Sequence, residues 1–101
     1  MIVRLVKMNM KAEDAANFEA YFVSRHSLIA SFPGCNRVEL LKTKACNSIG
    51  IIYFTRSIWM NEGSLEAYRN SGVFKETWTQ VKQWFNEKAE AWTTEIVEGN
   101  D

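Results

Sequence analysis

One histidine and two cysteines are all the imidazole and thiol metal ligands that these 101 residues offer. A zinc site draws three or four such ligands together, and one His with two remote Cys does not supply them, so no metal is expected. Cys35 and Cys46 stand near the two ends of an expected strand. At ~3.3 Å per residue they lie about 35 Å apart along it, out of disulfide reach, and both read as reduced thiols. Neither has a base spaced to activate it as a nucleophile. Net charge is missing as well, because 12 basic residues balance 12 acidic ones. Nothing therefore draws the chain to nucleic acid or to an anionic membrane. No apolar run approaches the ~18 residues of a membrane span. The opening Met-Ile-Val-Arg-Leu-Val-Lys breaks its apolar residues with charge and makes no signal-peptide core, so a cytoplasmic location is expected. There is no Gly-rich phosphate loop to imply a nucleotide cofactor. Residue types alone do not exclude a Ser-His-Asp hydrolase, but no spacing draws such groups together.

What is present is apolar and aromatic. Hydrophobic residues make up 47% of the chain and aromatic ones 13%, which is rich for a small domain and fits extra surface buried against a partner. The length is that of one domain, spanning 1–101. The stretch Ile49 to Trp59 reads as a central strand. Alternation sends Ile49, Ile51, Tyr53 and Trp59 to one face and Ile52, Phe54 and Ile58 to the other, so both faces need cover. Residues 2 to 10 read the same way, with Ile2, Val6, Met8 and Met10 on one face and Val3 and Leu5 on the other.

Glu13 and Asp14 suit the first turn of a helix, which runs to about Ser31. Its apolar face carries Ala15, Phe18, Phe22 and Ile29, flanked by Tyr21, Leu28 and Phe32. Arg25 projects into that stripe and His26 sits at its edge. Phe-Pro-Gly at 32 to 34 ends the helix. Arg37 to Lys44 is a second strand, joined by Lys-Ala-Cys-Asn-Ser to the central one as a hairpin. Asn61 or Ser64 caps a short helix through Tyr68, which breaks at 70 to 72. A longer helix then carries Phe74, Trp78, Val81, Phe85, Ala89 and Trp92 on one stripe. Thr93 to Val97 is expected as a fourth strand, and the tail from Glu98 to Asp101 should fray. The order βαββαβ predicts an α+β, ferredoxin-like domain: a four-stranded antiparallel sheet with its helices on one face. The bare apolar face predicts a homodimer, two sheets packed face to face.

The chain resembles the antibiotic biosynthesis monooxygenase family of dimeric α+β barrel proteins over nearly its whole length. The resemblance rests on strand order, on Phe-Pro-Gly-Cys after the first helix, and on the strand ending Ser-Ile-Trp. It rests further on Leu-Glu-Ala-Tyr followed by Val-Phe-Lys-Glu-Thr-Trp at the start of the last helix. The family includes oxygenases that act on electron-rich aromatic compounds without metal or flavin, haem-degrading enzymes, and proteins with no assigned activity. The haem-degrading relatives carry an iron-binding His where this chain has Trp78. They also carry a Trp at the place of Tyr68 and an Asn near the place of Val6. Those departures argue against haem degradation.

A pocket is expected between the sheet and the two helical stripes, walled by Phe22, Phe54, Trp59, Tyr68, Trp78 and Val81, and suited to a planar aromatic ligand. Arg25 and His26 are the candidate catalytic groups, the first to hold a phenolate and the second to accept its proton, with Asn9 a weaker polar candidate. The function expected is that of a cofactor-independent monooxygenase on a phenolic or quinol-like molecule. The alternatives are a small-molecule binding protein without chemistry and a structural dimer module.

Overall fold

The computed structural model describes residues 1–44 and 49–99. Cys46, most of the hairpin connection and the last two residues of the tail lie outside them. Four strands, β1 (Ile2–Met10), β2 (Cys35–Lys42), β3 (Ile51–Trp59) and β4 (Glu90–Glu95), form one antiparallel sheet in the order β2-β3-β1-β4. Three helices, α1 (Ala15–Ala30), α2 (Glu62–Arg69) and α3 (Gly72–Lys82), complete the ferredoxin-like arrangement. No helix among the described residues is long and apolar enough to cross a membrane.

The alternation of β1 and β3 settles which face each side chain takes. The register pairs Ile2 with Trp59 and Met8 with Tyr53, and these large residues are buried beneath the helices. The same register pairs Val3 with Ile58 and Lys7 with Phe54, which puts them on the opposite face. That outer face also receives Leu5, Leu41 and Trp92 by register, along with Glu39, which pairs with both Arg56 at 3.1 Å and Arg37 at 3.2 Å. Trp92 is 44% exposed there. α1 buries Ala15, Phe18, Phe22 and Ile29, the stripe that helical spacing selects. Leu28 does not join it and is exposed.

Local chemistry sets the boundaries. Asn61 caps α2 by accepting from the Ser64 amide at 2.8 Å, and Ser71 caps α3 by accepting from Phe74 at 3.2 Å. Between α1 and β2 the chain turns at Gly34, whose φ of +87° belongs to glycine. A Cβ there would stand 2.3 Å from Ser64 Oγ, so the missing side chain also lets α2 approach this turn.

The last third departs from expectation. α3 stops at Lys82 rather than running on toward Trp92, and β4 begins at Glu90 rather than Thr93. The Lys11 amide donates to the Trp84 carbonyl at 2.9 Å, and the Asn86 amide to the Asn9 carbonyl at 2.7 Å. Those bonds to the end of β1 draw residues 84–86 out of the helix, and Phe85 bridges to Met10 instead. Trp92 consequently sits in a strand on the outer face, opposite Leu5, and not on the stripe of a helix.

Candidate functional site

A cavity of about 310 Å³ lies between the inner face of the sheet and the helices. β1 contributes Arg4, Val6 and Met8 to its floor, and β3 contributes Thr55 and Ser57, because those are the inward positions of the alternation. Phe18, Phe22 and Ile29 of α1 come from the buried stripe. The other helices add Tyr68 and Arg69 from α2 and Phe74, Thr77, Trp78 and Val81 from α3.

Aromatic rings run continuously along the helical wall. Trp59 stacks on Tyr68 at 4.9 Å, and Tyr68 meets Phe74 edge-on at 5.3 Å. Phe74 lies parallel to Trp78 at 6.0 Å, with planes 8° apart. Such stacked and edge-on pairs stabilise beyond the area they bury, so the rings hold one another in a fixed wall. Burial pushes the Tyr68 phenol up to about 12; the neighbouring Cys35 adds to the rise and Arg25 opposes it. Tyr68 is therefore a neutral phenol at physiological pH and a hydrogen-bond donor, not a base. Burial also pushes the Cys35 thiol up, the opposite of what a nucleophile needs.

Of the six expected wall residues, Phe22, Tyr68, Trp78 and Val81 meet at the cavity. Phe54 does not: it pairs with Lys7 on the outer face, and a strand cannot turn both Phe54 and Trp59 inward, since they stand an odd number of positions apart. Trp59 is fully buried behind Tyr68, its Nε1 donating to Ser57 Oγ at 2.9 Å, so it supports the wall without forming it.

The two residues expected to be catalytic stand outside the cavity. Arg25 Nε donates to Thr77 Oγ1 at 3.0 Å, and its Nη2 reaches the Val73 carbonyl and Glu76 at 3.4 and 3.3 Å. With its side chain 17% exposed, it clamps α1 to α3 from behind Thr77. His26 turns the other way, toward the edge strand β2, with Nε2 2.9 Å from the Val38 carbonyl. Helical spacing places both residues near the apolar stripe but does not say which neighbour covers them. Asn9 is buried at the far end of β1, its Nδ2 donating to Glu87 at 3.4 Å, and does not reach the cavity. The polar groups that do line it are Arg4, Thr55, Ser57, Tyr68, Arg69 and Thr77. Arg4 had a visible signal: it shares the parity of Ile2, Val6 and Met8.

A family model described as antibiotic biosynthesis monooxygenase matches residues 1–80. The chain belongs to the antibiotic biosynthesis monooxygenase family. The fold is shared with distant solved structures. Rv0793 from Mycobacterium tuberculosis superposes with a TM-score of 0.85 at 10% identity, covering 99% of this chain and 98% of that one. SnoaB, a cofactor-independent oxygenase from Streptomyces nogalater, gives 0.82 at 15% identity, over 97% and 94% of the two chains. A conserved protein from Methanosarcina mazei Go1 gives 0.76 at 21% identity, over 93% and 91%. At these identities the antibiotic biosynthesis monooxygenase fold is what is shared. A search of the curated proteins finds no match.

Proposed function

We propose that this protein is a cofactor-independent monooxygenase that oxidises a phenolic or quinol-like aromatic molecule in the cavity between sheet and helices. The observation that carries the proposal is the unbroken aromatic wall Tyr68–Phe74–Trp78 facing a cavity of about 310 Å³, within the size range of small-molecule sites. Family membership and the likeness to SnoaB support the reaction class.

The substrate supplies the electrons. A phenolate or enolate passes one electron to oxygen where the neutral phenol does so poorly. For an anthrone-like substrate the methylene carbon gains one oxygen atom as a carbonyl, and its two hydrogens leave with the other oxygen as water. Among the described residues, no carboxylate or imidazole lines the cavity to take the first proton, and Tyr68 is too weak an acid to serve as its own conjugate base near neutrality. The protein's contribution is therefore to bind a substrate acidic enough to ionise, hold it flat against Trp78, and donate from Tyr68 to the oxyanion. Arg25 acts as a positioning residue, fixing Thr77 and α3 through its hydrogen bonds.

The lack of a base in the wall favours a second reading, a binding protein of the same fold without chemistry. Oxygen uptake separates the two. Metal-free protein given a panel of anthrones and dihydroxy-aromatics should consume oxygen above the buffer control, and EDTA should not inhibit it. A panel that binds with no uptake would give the case to the binding protein.

We propose further that the protein is a homodimer through the outer face of the sheet. Leu5, Phe54, Ile58 and Trp92 share that face, and covering so apolar a surface with a second copy buries area on the scale of obligate interfaces.

A further inference from the structure

Arg4 is the one charged residue on the inner face of β1, set among Ile2, Val6 and Met8. Its guanidinium makes a single hydrogen bond, from Nη1 to Thr93 Oγ1 at 2.7 Å, and has no carboxylate partner among the described residues. Four of its five N–H donors are thus left uncommitted. The other guanidinium lining the cavity is Arg69, itself held by Glu66 at 2.8 Å. Burial and the neighbouring Arg69 both work against the charge on Arg4, and Glu66 only partly offsets them. The two like charges oppose each other at the cavity, and beyond its bond to Thr93 Arg4 bridges no helix and closes no turn. An anion held by both guanidinium groups would relieve that repulsion.

We infer that Arg4 and Arg69 form an anion subsite in the cavity wall, which takes a carboxylate or sulfonate carried by the aromatic ligand. This rests on the cavity being the aromatic-ligand site proposed above. The subsite is distinct from the Tyr68 hydroxyl: Arg4 stands on β1, and Arg69 follows Tyr68 on α2, where consecutive side chains point about 100° apart. The ligand it selects therefore has an anionic head at one place and an oxidisable ring at another. The forked donors of arginine suit a planar carboxylate in two-point contact.

The test compares 6-hydroxy-2-naphthoate with its neutral carboxamide by calorimetry and by quenching of tryptophan fluorescence. The carboxylate should bind roughly 10- to 100-fold more tightly, the range for a hydrogen-bonded charge. Salt should narrow that gap, because the arginines are partly exposed. Arg4→Met should abolish it. Arg69→Met should do the same, since it also leaves the Glu66 carboxylate unopposed. Glu66→Gln, an exposed change that does not threaten folding, should tighten the carboxylate and leave the carboxamide unchanged, a gain that misfolding cannot imitate. Equal binding of both probes, unmoved by salt or by Glu66→Gln, would overturn the anion subsite while leaving the aromatic cavity intact. Failure of the carboxamide and the carboxylate alike to bind would overturn the cavity reading itself, and the subsite with it.

Discussion

Trp59 and Tyr68 stack at 4.9 Å with their planes 25° apart, one fully buried at the end of the central strand and the other facing the cavity. The sheet thus sets the position of the cavity wall through an indole that does not itself line the cavity. Trp59→Ala should cost about 3 to 5 kcal/mol of stability, the range for deleting a buried aromatic ring. Urea denaturation checks this; a loss below about 1 kcal/mol would mean that Tyr68 is held by something else.

Burial raises the phenol of Tyr68 to about 12, and burial with the Glu19 hydrogen bond of 2.5 Å raises that of Tyr53 further. The protonated forms are the ones the fold favours. Their contribution to stability is complete below the ordinary tyrosine pKa near 10 and is lost as pH rises through the folded values. Absorbance of phenolate should therefore show two of the three tyrosines ionising late in the folded protein and normally in denaturant. Stability should fall between about pH 10 and 12. Two early titrations in the folded protein would contradict the burial of these hydroxyls.

Gly34 carries two separate constraints, a positive φ and the approach of Ser64. Gly34→Ala should lose about 1 to 2 kcal/mol from the left-handed backbone alone, and more from the clash. Adding Ser64→Gly should recover only the clash part. Thermal melts of the single and double variants separate the two; full recovery would show that φ is not the constraint.

The outer face of the sheet gives a sharp test of assembly. Light scattering should return twice the 11.7 kDa chain mass at micromolar concentration. Phe54→Glu should abolish that species, leaving a monomer or an aggregate, because the charge would be buried between two sheets. A folded, monodisperse 11.7 kDa parent would contradict the dimer.

Much of this architecture is legible in the residues, and the limits are physical. The α1 stripe of Ala15, Phe18, Phe22 and Ile29 follows from helical spacing because a single surface, the sheet, covers it. The faces of β1 and β3 follow from alternation. The end of α3 does not, since Phe85, Ala89 and Trp92 continue a helical spacing, while the bonds that interrupt it come from Lys11 and Asn9, more than seventy residues away. Phe54 shares the parity of Ile52 and Ile58, opposite to that of Trp59, and that parity carries it to the outer face and away from the pocket. Arg25 lies on the stripe as spacing implies, but only the position of α3 turns it from a cavity group into a clamp. Arg4 was the readable residue of the site, a charge at an inward position of a buried strand, and its value emerges only when Arg69 is seen on the same wall.

The central claim is that an aromatic substrate bound in this cavity takes an oxygen atom from molecular oxygen without a cofactor. Metal-free protein, incubated under ¹⁸O₂ with an acidic hydroxyanthrone, tests it by mass spectrometry of the product. The account predicts one ¹⁸O atom in the new carbonyl and a rate well above the protein-free control. It also predicts that the rate is lost in Ala91→Phe, which fills the cavity from the exposed edge strand β4 without disturbing the buried core. A new carbonyl without ¹⁸O, its oxygen drawn from water, or a rate that Ala91→Phe leaves unchanged, would contradict it.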